Sequence, residues 1–282
     1  LLMLWVAQPL LLQHQLDLPW LVAALLAYLG FYEIVAPLTA SFIALGLSQA
    51  ARDRINPLNQ GEAVHTAPLP LHNRPLQLQL HDLQVANAGT QRFNLDLQAG
   101  DILVITGPSG VGKTSLLETL AGYMPPLQGQ LLLNGQQYEQ GSLNGHLGYL
   151  PQQFDLFNLS LAQNLRLGVP DTSDAQLWQA LQQVALADWA RQQPLQLNTP
   201  LGEHAVAVSG GQARRIALAR LLLRQQPILL LDEPFAGLDS ASATQVLQAV
   251  SQHQQQGILV IVSHDLPPAL LQQERVKTLR LA

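Results

Sequence analysis

The chain has 282 residues, enough for about two ordinary domains. Hydrophobic residues make up 48% of the chain and charged residues 12%, which favours a membrane-attached protein. The net charge of −5 and the lack of a basic stripe exclude a nucleic-acid partner bound through a basic surface, and the absence of cysteine excludes disulfides and thiolate metal sites.

The first 50 residues are apolar and hold two charged residues, Asp17 and Glu33. Residues 1–12 form an apolar run of about half a membrane span, and Gln13–Asp17 is a polar break. The run from Leu18 to Leu47 exceeds the roughly 20 residues that cross a bilayer as a helix. A buried hairpin of a soluble protein is the alternative, but such a helix would have a polar face.

The residues after this run predict its orientation. Thr39–Ala51 is interpreted as a stalk that leaves the membrane, and Arg52 and Arg54 follow it. By the positive-inside rule these arginines lie in the cytoplasm, with everything after residue 55. Glu33 within the span is either a functional group or a residue near the interface or a partner helix.

The prolines of Asn56–Pro75 predict a linker between a partial membrane domain, residues 1–55, and a second domain, residues 76–282. In the second domain, strands that alternate with helices predict an α/β fold with a largely parallel core sheet. The apolar patterns predict strands at Leu76–Val85, Phe93–Leu97, Ile102–Thr106, Ile228–Leu231, Ile258–Val262 and Arg275–Leu281, and helices at about 175–192 and 211–225.

A glycine-rich loop follows the predicted strand Ile102–Thr106. Its sequence, Gly-Pro-Ser-Gly-Val-Gly-Lys-Thr, matches the phosphate-binding pattern G-x-x-x-x-G-K-[ST] in the required strand–loop–helix context. Backbone N–H groups and the helix N-terminus attract phosphate, Lys113 reaches the β- and γ-phosphates, and the Thr114 hydroxyl binds Mg²⁺. The predicted nucleotide-binding residues of this loop are Gly107, Pro108, Ser109, Gly110, Val111, Gly112, Lys113, Thr114 and Ser115.

Two acids follow the predicted strand Ile228–Leu231. Asp232, at the strand end, can hold Mg²⁺ through water. Glu233 is placed to polarise an attacking water as a general base.

The segment Val208-Ser-Gly-Gly-Gln212 resembles the signature sequence of ATP-binding-cassette (ABC) proteins. Three further segments resemble the Q-loop, the D-loop and the switch histidine of that family: Tyr149-Leu-Pro-Gln152, Ala236-Gly-Leu-Asp239 and Val262-Ser-His264. The resemblance covers residues 76–282. It implies a P-loop cassette with a parallel core sheet, an antiparallel β subdomain and an α-helical signature subdomain, preceded by a partial α-helical transmembrane segment.

The resemblance also implies roles for these residues. ATP and Mg²⁺ would be the bound groups, and Lys113, Gln152, Glu233 and His264 the catalytic residues. Gln152 would sense the γ-phosphate and the metal, which would be held by Thr114, Gln152 and Asp232. His264 would hold the γ-phosphate and, with Glu233, orient the attacking water.

The signature residues Ser209, Gly210, Gly211 and Gln212 would act in trans, on ATP held by a partner. Two cassettes would therefore enclose two nucleotides, and one alone should be a poor ATPase. The family usually stacks adenine on an aromatic before the phosphate loop, but the matching stretch Leu83–Ala88 has none. Phe93 is interpreted as a core residue instead.

A membrane segment before the cassette resembles exporter half-transporters. Asp155-Leu-Phe157 and Leu161–Asn164 resemble the exporter pattern, and Phe31–Thr39 with Arg54-Ile55 resembles the C subunits of the heterodimeric thiol exporters. That resemblance implies export of cysteine and glutathione across the bacterial inner membrane, a homologous partner subunit, and a need in cytochrome bd assembly. Gly202-Glu203 before the signature agrees with those subunits and with other exporters.

Two alternatives stay open: a homodimeric lipid or drug exporter half, and a soluble cassette in translation or DNA repair, which the apolar segment disfavours. Exporter halves carry six membrane helices, and this chain holds roughly one and a half. Because Leu1 is not a start methionine and no basic residues precede the apolar run, we expect the chain to begin inside a longer protein.

Overall fold

The computed structural model describes residue 9 and residues 17–60, 76–138, 141–202, 208–270 and 275–281, without the side chains of residues 39–41, 54–55 and 57–60. The chain divides into two compact units between residues 64 and 65. Apart from residue 9, the predicted half span at residues 1–12 lies outside the described residues, as do residues 13–16 of the polar break, residues 61–75 of the linker, and Glu203.

One long helix, α1 (Leu18–Gln60), forms the described part of the first unit. It begins after Asp17, whose carbonyl accepts hydrogen bonds from the N–H groups of Trp20 and Leu21. Its stretch from Leu18 to Asp53 contains an 18-residue window with a mean hydropathy of 1.9 and is long and apolar enough to cross a membrane. Large apolar side chains are exposed along it, so the apolar surface has no cover within the described residues of this unit.

The start predicted for the linker differs from the structure. Residues 56–60 continue α1 instead of leaving it, although they include Pro57. A proline inside a helix removes one N–H donor and usually kinks or ends the helix. Here the preceding 38 residues are already helical, and propagation from an existing helix costs far less than a new start.

The second unit contains two sheets. The first is antiparallel, with strand order β2–β1–β4–β5. Its strands are β1 (Gln77–Gln84), β2 (Phe93–Gln98), β4 (Gln128–Leu133) and β5 (Gln136–Gln137). The period-two pattern predicted β1 and β2, whereas β4 and β5 have too few alternating apolar residues to be recognised.

The second sheet is parallel, with strand order β6–β7–β8–β3–β9. Its strands are β3 (Ile102–Thr106), β6 (Leu147–Leu150), β7 (Ile228–Asp232), β8 (Ile258–Val262) and β9 (Val276–Arg280). All residues of β7 and β8 are buried, as their continuous apolar runs predict. In parallel strands all carboxyl ends lie at one edge, which is where ligands bind in such sheets.

Seven helices flank the sheets in the described part of this unit. They are α2 (Lys113–Leu120), α3 (Leu161–Leu165), α4 (Asp174–Gln183), α5 (Ala187–Gln192), a 3₁₀ turn (Gln196–Asn198), α6 (Gly210–Arg224) and α7 (Ser240–His253). The stretch 175–192, predicted as one helix, is two helices because Ala185 between them has a positive φ of 55°. The helix predicted at 211–225 agrees with α6.

Two apolar cores hold this unit together. One lies between the antiparallel sheet, α2 and one face of the parallel sheet, and it contains Phe93 as predicted. The other lies between the opposite face and the helices α3 to α7. Alternate residues of β3 serve both cores: Leu103 and Ile105 belong to the first, and Val104 to the second. The strand end that carries the glycine-rich loop is therefore fixed from both sides.

Candidate functional site

The glycine-rich loop connects β3 to α2 at the carboxyl edge of the parallel sheet. Gly112, just before α2, has a φ of +94°, a conformation that side chains disfavour. A Cβ there would lie 2.9 Å from the backbone N of Ala88 and the backbone C of Asn87. Gly112 thus allows the loop to approach the segment between β1 and β2.

Lys113 is folded back over this loop. Its Nζ donates to the carbonyls of Gly107 at 2.7 Å and Pro108 at 2.8 Å, and lies 3.2 Å from His264 Nε2. The side chain is largely buried, so its charge is held at the loop rather than in solvent. This contact between Lys113 and His264, which are 151 residues apart in sequence, shows that the loop lies beside the end of β8.

The strand end of β7 supplies the acids. Thr114 Oγ1 donates to Asp232 Oδ2 at 3.0 Å, which joins the start of α2 to β7. Burial raises the pKa of Asp232, and the hydrogen bond from Thr114 and the charges of Arg214 and Lys113 oppose that rise. A divalent cation at this position would favour the ionised carboxylate in the same way.

Glu233 is held in an uncommon backbone conformation, with φ of +52°. Such a conformation costs about 1–3 kcal/mol in a non-glycine residue and persists where the surroundings enforce it. Its carboxylate accepts from the Ser263 hydroxyl at 3.0 Å and from the His264 N–H at 3.2 Å. The side chain of Glu233 is only 15% exposed, and that of His264 is 51% exposed. The acid is thus fixed while the imidazole faces the cavity.

These groups surround a cavity of about 330 Å³. Its lining combines the predicted residues Ser109, Gly110, Gly112, Lys113, Thr114, Ser115, Gln152, Asp232, Glu233 and His264 with Asn87. The described residues contain no group of three His, Asp or Glu side chains that could hold a metal. Thr114 and Asp232 suit Mg²⁺, which is bound through one or two carboxylates together with phosphate oxygens and water. The buried Lys113 and the loop amides suit the phosphates.

The remaining predicted residues lie outside the cavity lining. Gly107 and Pro108 contribute the carbonyls that hold Lys113, and Val111 packs against the first core. The signature residues 209–212 begin α6, and the cavity lining does not include them. The Ser209 hydroxyl accepts from the Gln212 N–H at 3.2 Å, and the Gln212 side chain accepts from the Ser209 N–H at 2.9 Å. Both side chains therefore cap α6.

Three contributors to this site were not predicted as site residues. Asn87 donates to the Ser115 hydroxyl at 3.1 Å, in the stretch where an aromatic was expected. Ser263 binds the Glu233 carboxylate, and Arg214 donates to the backbone of Asp232 and Glu233. No aromatic side chain is among the described residues that line the cavity. Ser263 could have been suspected from its place between a buried strand and His264.

Gly112 and Gly110 provide a matched test of how the loop is packed. Both have positive φ, but a Cβ at Gly110 would meet nothing within 4 Å. We expect Gly110→Ala to lower the free energy of unfolding by about 1–2 kcal/mol through the backbone alone. Gly112→Ala should lose about 1–3 kcal/mol more, because the methyl group overpacks against Asn87 and Ala88. Equal losses in urea unfolding of the two variants would contradict this packing.

Comparison with known proteins identifies the family. The family model described as ABC transporter matches residues 90–236. The glutathione/L-cysteine transport system ATP-binding/permease protein CydC of Haemophilus influenzae is 34% identical over 256 residues, which cover 85% of this chain and 44% of that protein. The ATP-dependent lipid A-core flippase of Alkalilimnicola ehrlichii is 35% identical over 178 residues, 62% of this chain and 30% of that protein.

A solved structure supports the fold. The structure of a bacterial Atm1-family ABC exporter with ATP bound superposes with a TM-score of 0.70 at 26% identity, and the match covers 93% of this chain and 48% of that chain. The chain spans less than half the length of these relatives.

Proposed function

This chain belongs to the ABC transporter family, and we propose that it is the ATP-hydrolysing part of a membrane exporter for small thiols. It contains the exporter-type ATPase domain, which uses ATP with Mg²⁺. The observation that carries the proposal is the arrangement of Lys113, Asp232, Glu233 and His264 around one polar cavity at the sheet edge. Positioning and charge stabilisation provide most of the catalysis of phosphoryl transfer, and this arrangement supplies both.

The binding step rests on the glycine-rich loop. Its N–H groups and the N-terminus of α2 attract the phosphates, and Lys113 neutralises part of their charge. When bound, Mg²⁺ neutralises charge on the phosphate oxygens, and Thr114, Asp232 and Gln152 are the residues that would hold it. On binding, Lys113 would exchange the carbonyls of Gly107 and Pro108 for phosphate oxygens, which are charged and therefore stronger acceptors for an ammonium.

The hydrolytic step rests on Glu233 and His264. Ser263 and the His264 N–H hold the Glu233 carboxylate in place, which fixes the direction from which it can accept a proton from water. His264 Nε2 lies 3.2 Å from Lys113 Nζ and 3.8 Å from Glu233 Oε1, so the ring stands between the ammonium of the loop and the acid that follows β7. His264 is then able to contact the γ-phosphate at the side where Lys113 lies.

The exporter assignment is supported by α1, which precedes the cassette on the same chain and is apolar over Leu18–Asp53. Thiol export is supported by the segment Phe31–Thr39 and by the longer match to the glutathione and cysteine transport protein, 85% of this chain against 62% for the lipid A-core flippase. The partner would be a homologous subunit whose cassette faces Ser209–Gln212. The assembled protein would lie in the bacterial inner membrane with the cassette in the cytoplasm.

Transport by the intact protein tests this proposal. The full-length protein and its partner subunit would be reconstituted in sealed vesicles with the cassettes facing outward. We expect ATP-dependent uptake of labelled cysteine or glutathione, at least about tenfold above that of a Glu233→Gln complex, because uptake requires hydrolysis. Lipid flipping or drug uptake without thiol uptake would favour the second candidate, a homodimeric lipid or drug exporter, which the 35% identity to a lipid flippase supports.

A further inference from the structure

Arg214, the fifth residue of α6, bonds to three backbone carbonyls from two other segments. Its Nη1 donates to the carbonyls of Asp232 at 2.9 Å and Glu233 at 3.1 Å, and its Nη2 donates to the carbonyl of Gln152 at 2.9 Å. The guanidinium carbon also lies 5.3 Å from the ring centre of Phe154. One side chain thus joins α6, the helix that the signature residues begin, to the end of β7 and to residues 152–156, the glutamine segment.

The bridge crosses a gap rather than a packed interface. A cavity of about 690 Å³ is lined by residues of the glutamine segment, 152–156, and by Gly210, Ala213 and Arg214 of α6. Phe154 and Ala213 pack against the same apolar core, but side chains do not fill this space, so across it the two segments are joined by polar contacts. The Arg214 guanidinium, held between the Gln152 carbonyl and the Phe154 ring, crosses from one to the other.

The two carbonyls at the end of β7 flank Glu233, the residue with the uncommon φ of +52°. Fixing the peptide oxygen before Glu233 and its own carbonyl oxygen restricts the rotation of both neighbouring peptide planes. The same backbone conformation directs the Glu233 carboxylate toward Ser263 and the His264 N–H. Arg214 thus restrains the backbone that carries the carboxylate, and Ser263 and the His264 N–H hold the carboxylate itself.

We propose that Arg214 is a positioning residue that couples the position of the signature helix α6 to the orientation of Glu233 and of the glutamine segment. The proposal rests on the proposed function, in which Ser209–Gln212 at the start of α6 meet the partner's nucleotide. A displacement of α6 by that contact would move the guanidinium and, through it, the carbonyls on both sides of Glu233. Nucleotide bound at the partner's site would then change the orientation of Glu233 in this chain's own site.

Arginine is suited to this role by its shape as well as its charge. The planar guanidinium offers five donors in a fixed fork and can stack on an aromatic ring while it donates. Lysine has the same charge but cannot reach three carbonyls with that geometry and keep the stacking contact. Arg214→Lys therefore keeps the positive charge but loses the geometry of the guanidinium contacts, and Arg214→Gln loses both the charge and that geometry.

Arg220 is the matched control on the same helix. It is also partly buried, but it donates to the main-chain and side-chain oxygens of Asn164, away from β7. Arg220→Gln should weaken the helical part of the second unit without changing the backbone at Glu233. Any loss common to Arg220→Gln and Arg214→Gln reports on stability rather than positioning.

The first measurement is hydrogen exchange on the full chain in detergent. The Glu233 N–H donates to the Val262 carbonyl and the Ala236 N–H donates to the Glu233 carbonyl, so both amides report on this turn. We expect both to exchange about tenfold faster or more in Arg214→Lys and Arg214→Gln, and to be unchanged in Arg220→Gln. Unchanged exchange in the Arg214 variants, or an equal rise in the control, would overturn the proposal.

The second measurement uses the assembled transporter. We expect Arg214→Lys to lower kcat about tenfold and to leave the KM for MgATP within about threefold. Lys113 and the glycine-rich loop are unchanged in this variant, and only the orientation of the Glu233 carboxylate changes. A parallel rise in KM with kcat retained would contradict positioning. The exchange measurement needs no ATPase activity, so a chain that binds no ATP would refute the proposed function while leaving the role of Arg214 testable.

Discussion

Replacement of Glu233 by glutamine is expected to lower ATP hydrolysis by the assembled transporter about 1000-fold, the midrange of the loss when a general base is removed. Glutamine has nearly the same shape, and its amide oxygen can still accept from the Ser263 hydroxyl and the His264 N–H. It cannot accept a proton from water. ATP affinity, measured by equilibrium binding, should stay within about threefold because Glu233 makes no contact that binding requires.

Asp265→Asn is the control for this substitution. Asp265 is also an acid near His264, but it is exposed, and the hydrogen bond that its backbone carbonyl accepts from the Ser263 hydroxyl is retained in the variant. We expect Asp265→Asn to keep hydrolysis within about threefold of the unaltered protein, as is usual for exposed positions. Hydrolysis that survives in Glu233→Gln, or is lost equally in Asp265→Asn, would show that another group is the base.

The phosphate loop and the acids could be predicted from the sequence because each lies at the end of a continuous buried strand. Ile102–Thr106 and Ile228–Asp232 are parallel strands with their carboxyl ends at one edge, so the residues that follow them must lie close together. His264 follows β8, the strand between them. In this part of the chain, local sequence and sheet topology bring the predicted residues together around one cavity.

Arg214 could not be assigned in the same way. It contacts Asp232, 18 residues away, and Gln152, 62 residues away, and no periodicity in α6 distinguishes it from its neighbour. Arg215, the next residue, donates instead to the Ala185 carbonyl. Which arginine faces the backbone of Asp232 and Glu233 depends on the rotation of α6 against β7, and only the packed structure fixes that rotation.

The signature segment shows how a family motif and a local structural rule can coincide. Ser209 and Gln212 form a capping box at the start of α6, and the same pairing occurs at Ser160 with α3 and at Ser173 with α4. Such boxes satisfy N–H groups at a helix start whatever the helix does. The serine and glutamine are therefore explained by capping alone, and the case for a nucleotide contact here rests on the two glycines between them and on the resemblance.

Lys113→Ala is expected to weaken MgATP binding about 100-fold, because the ammonium makes charge-assisted contacts worth about 1.5–3 kcal/mol each. The chain has two lysines, and Lys277 is the matched control. Lys277 lies on β9 and bonds to Asp101 at 2.7 Å, and the cavity lining does not include it. Lys277→Ala should leave affinity within about threefold while it removes the same charge.

Two lysines also permit a test without substitution. Acetic anhydride modifies amines that are accessible and unprotonated, and peptide mapping separates the fragment of Lys113 from that of Lys277. Because the phosphates would cover the Lys113 ammonium and stabilise its charge, we expect MgATP to slow acetylation of Lys113 about tenfold or more and to leave Lys277 unchanged. Equal protection of both lysines would indicate a general tightening of the fold. Because Lys113 is largely buried, its acetylation rate without nucleotide is measured first, and no slowing of that rate by MgATP would show that the Lys113 side chain does not meet the nucleotide. The Lys113→Ala affinity and the labelling pattern must agree, since one contact is responsible for both.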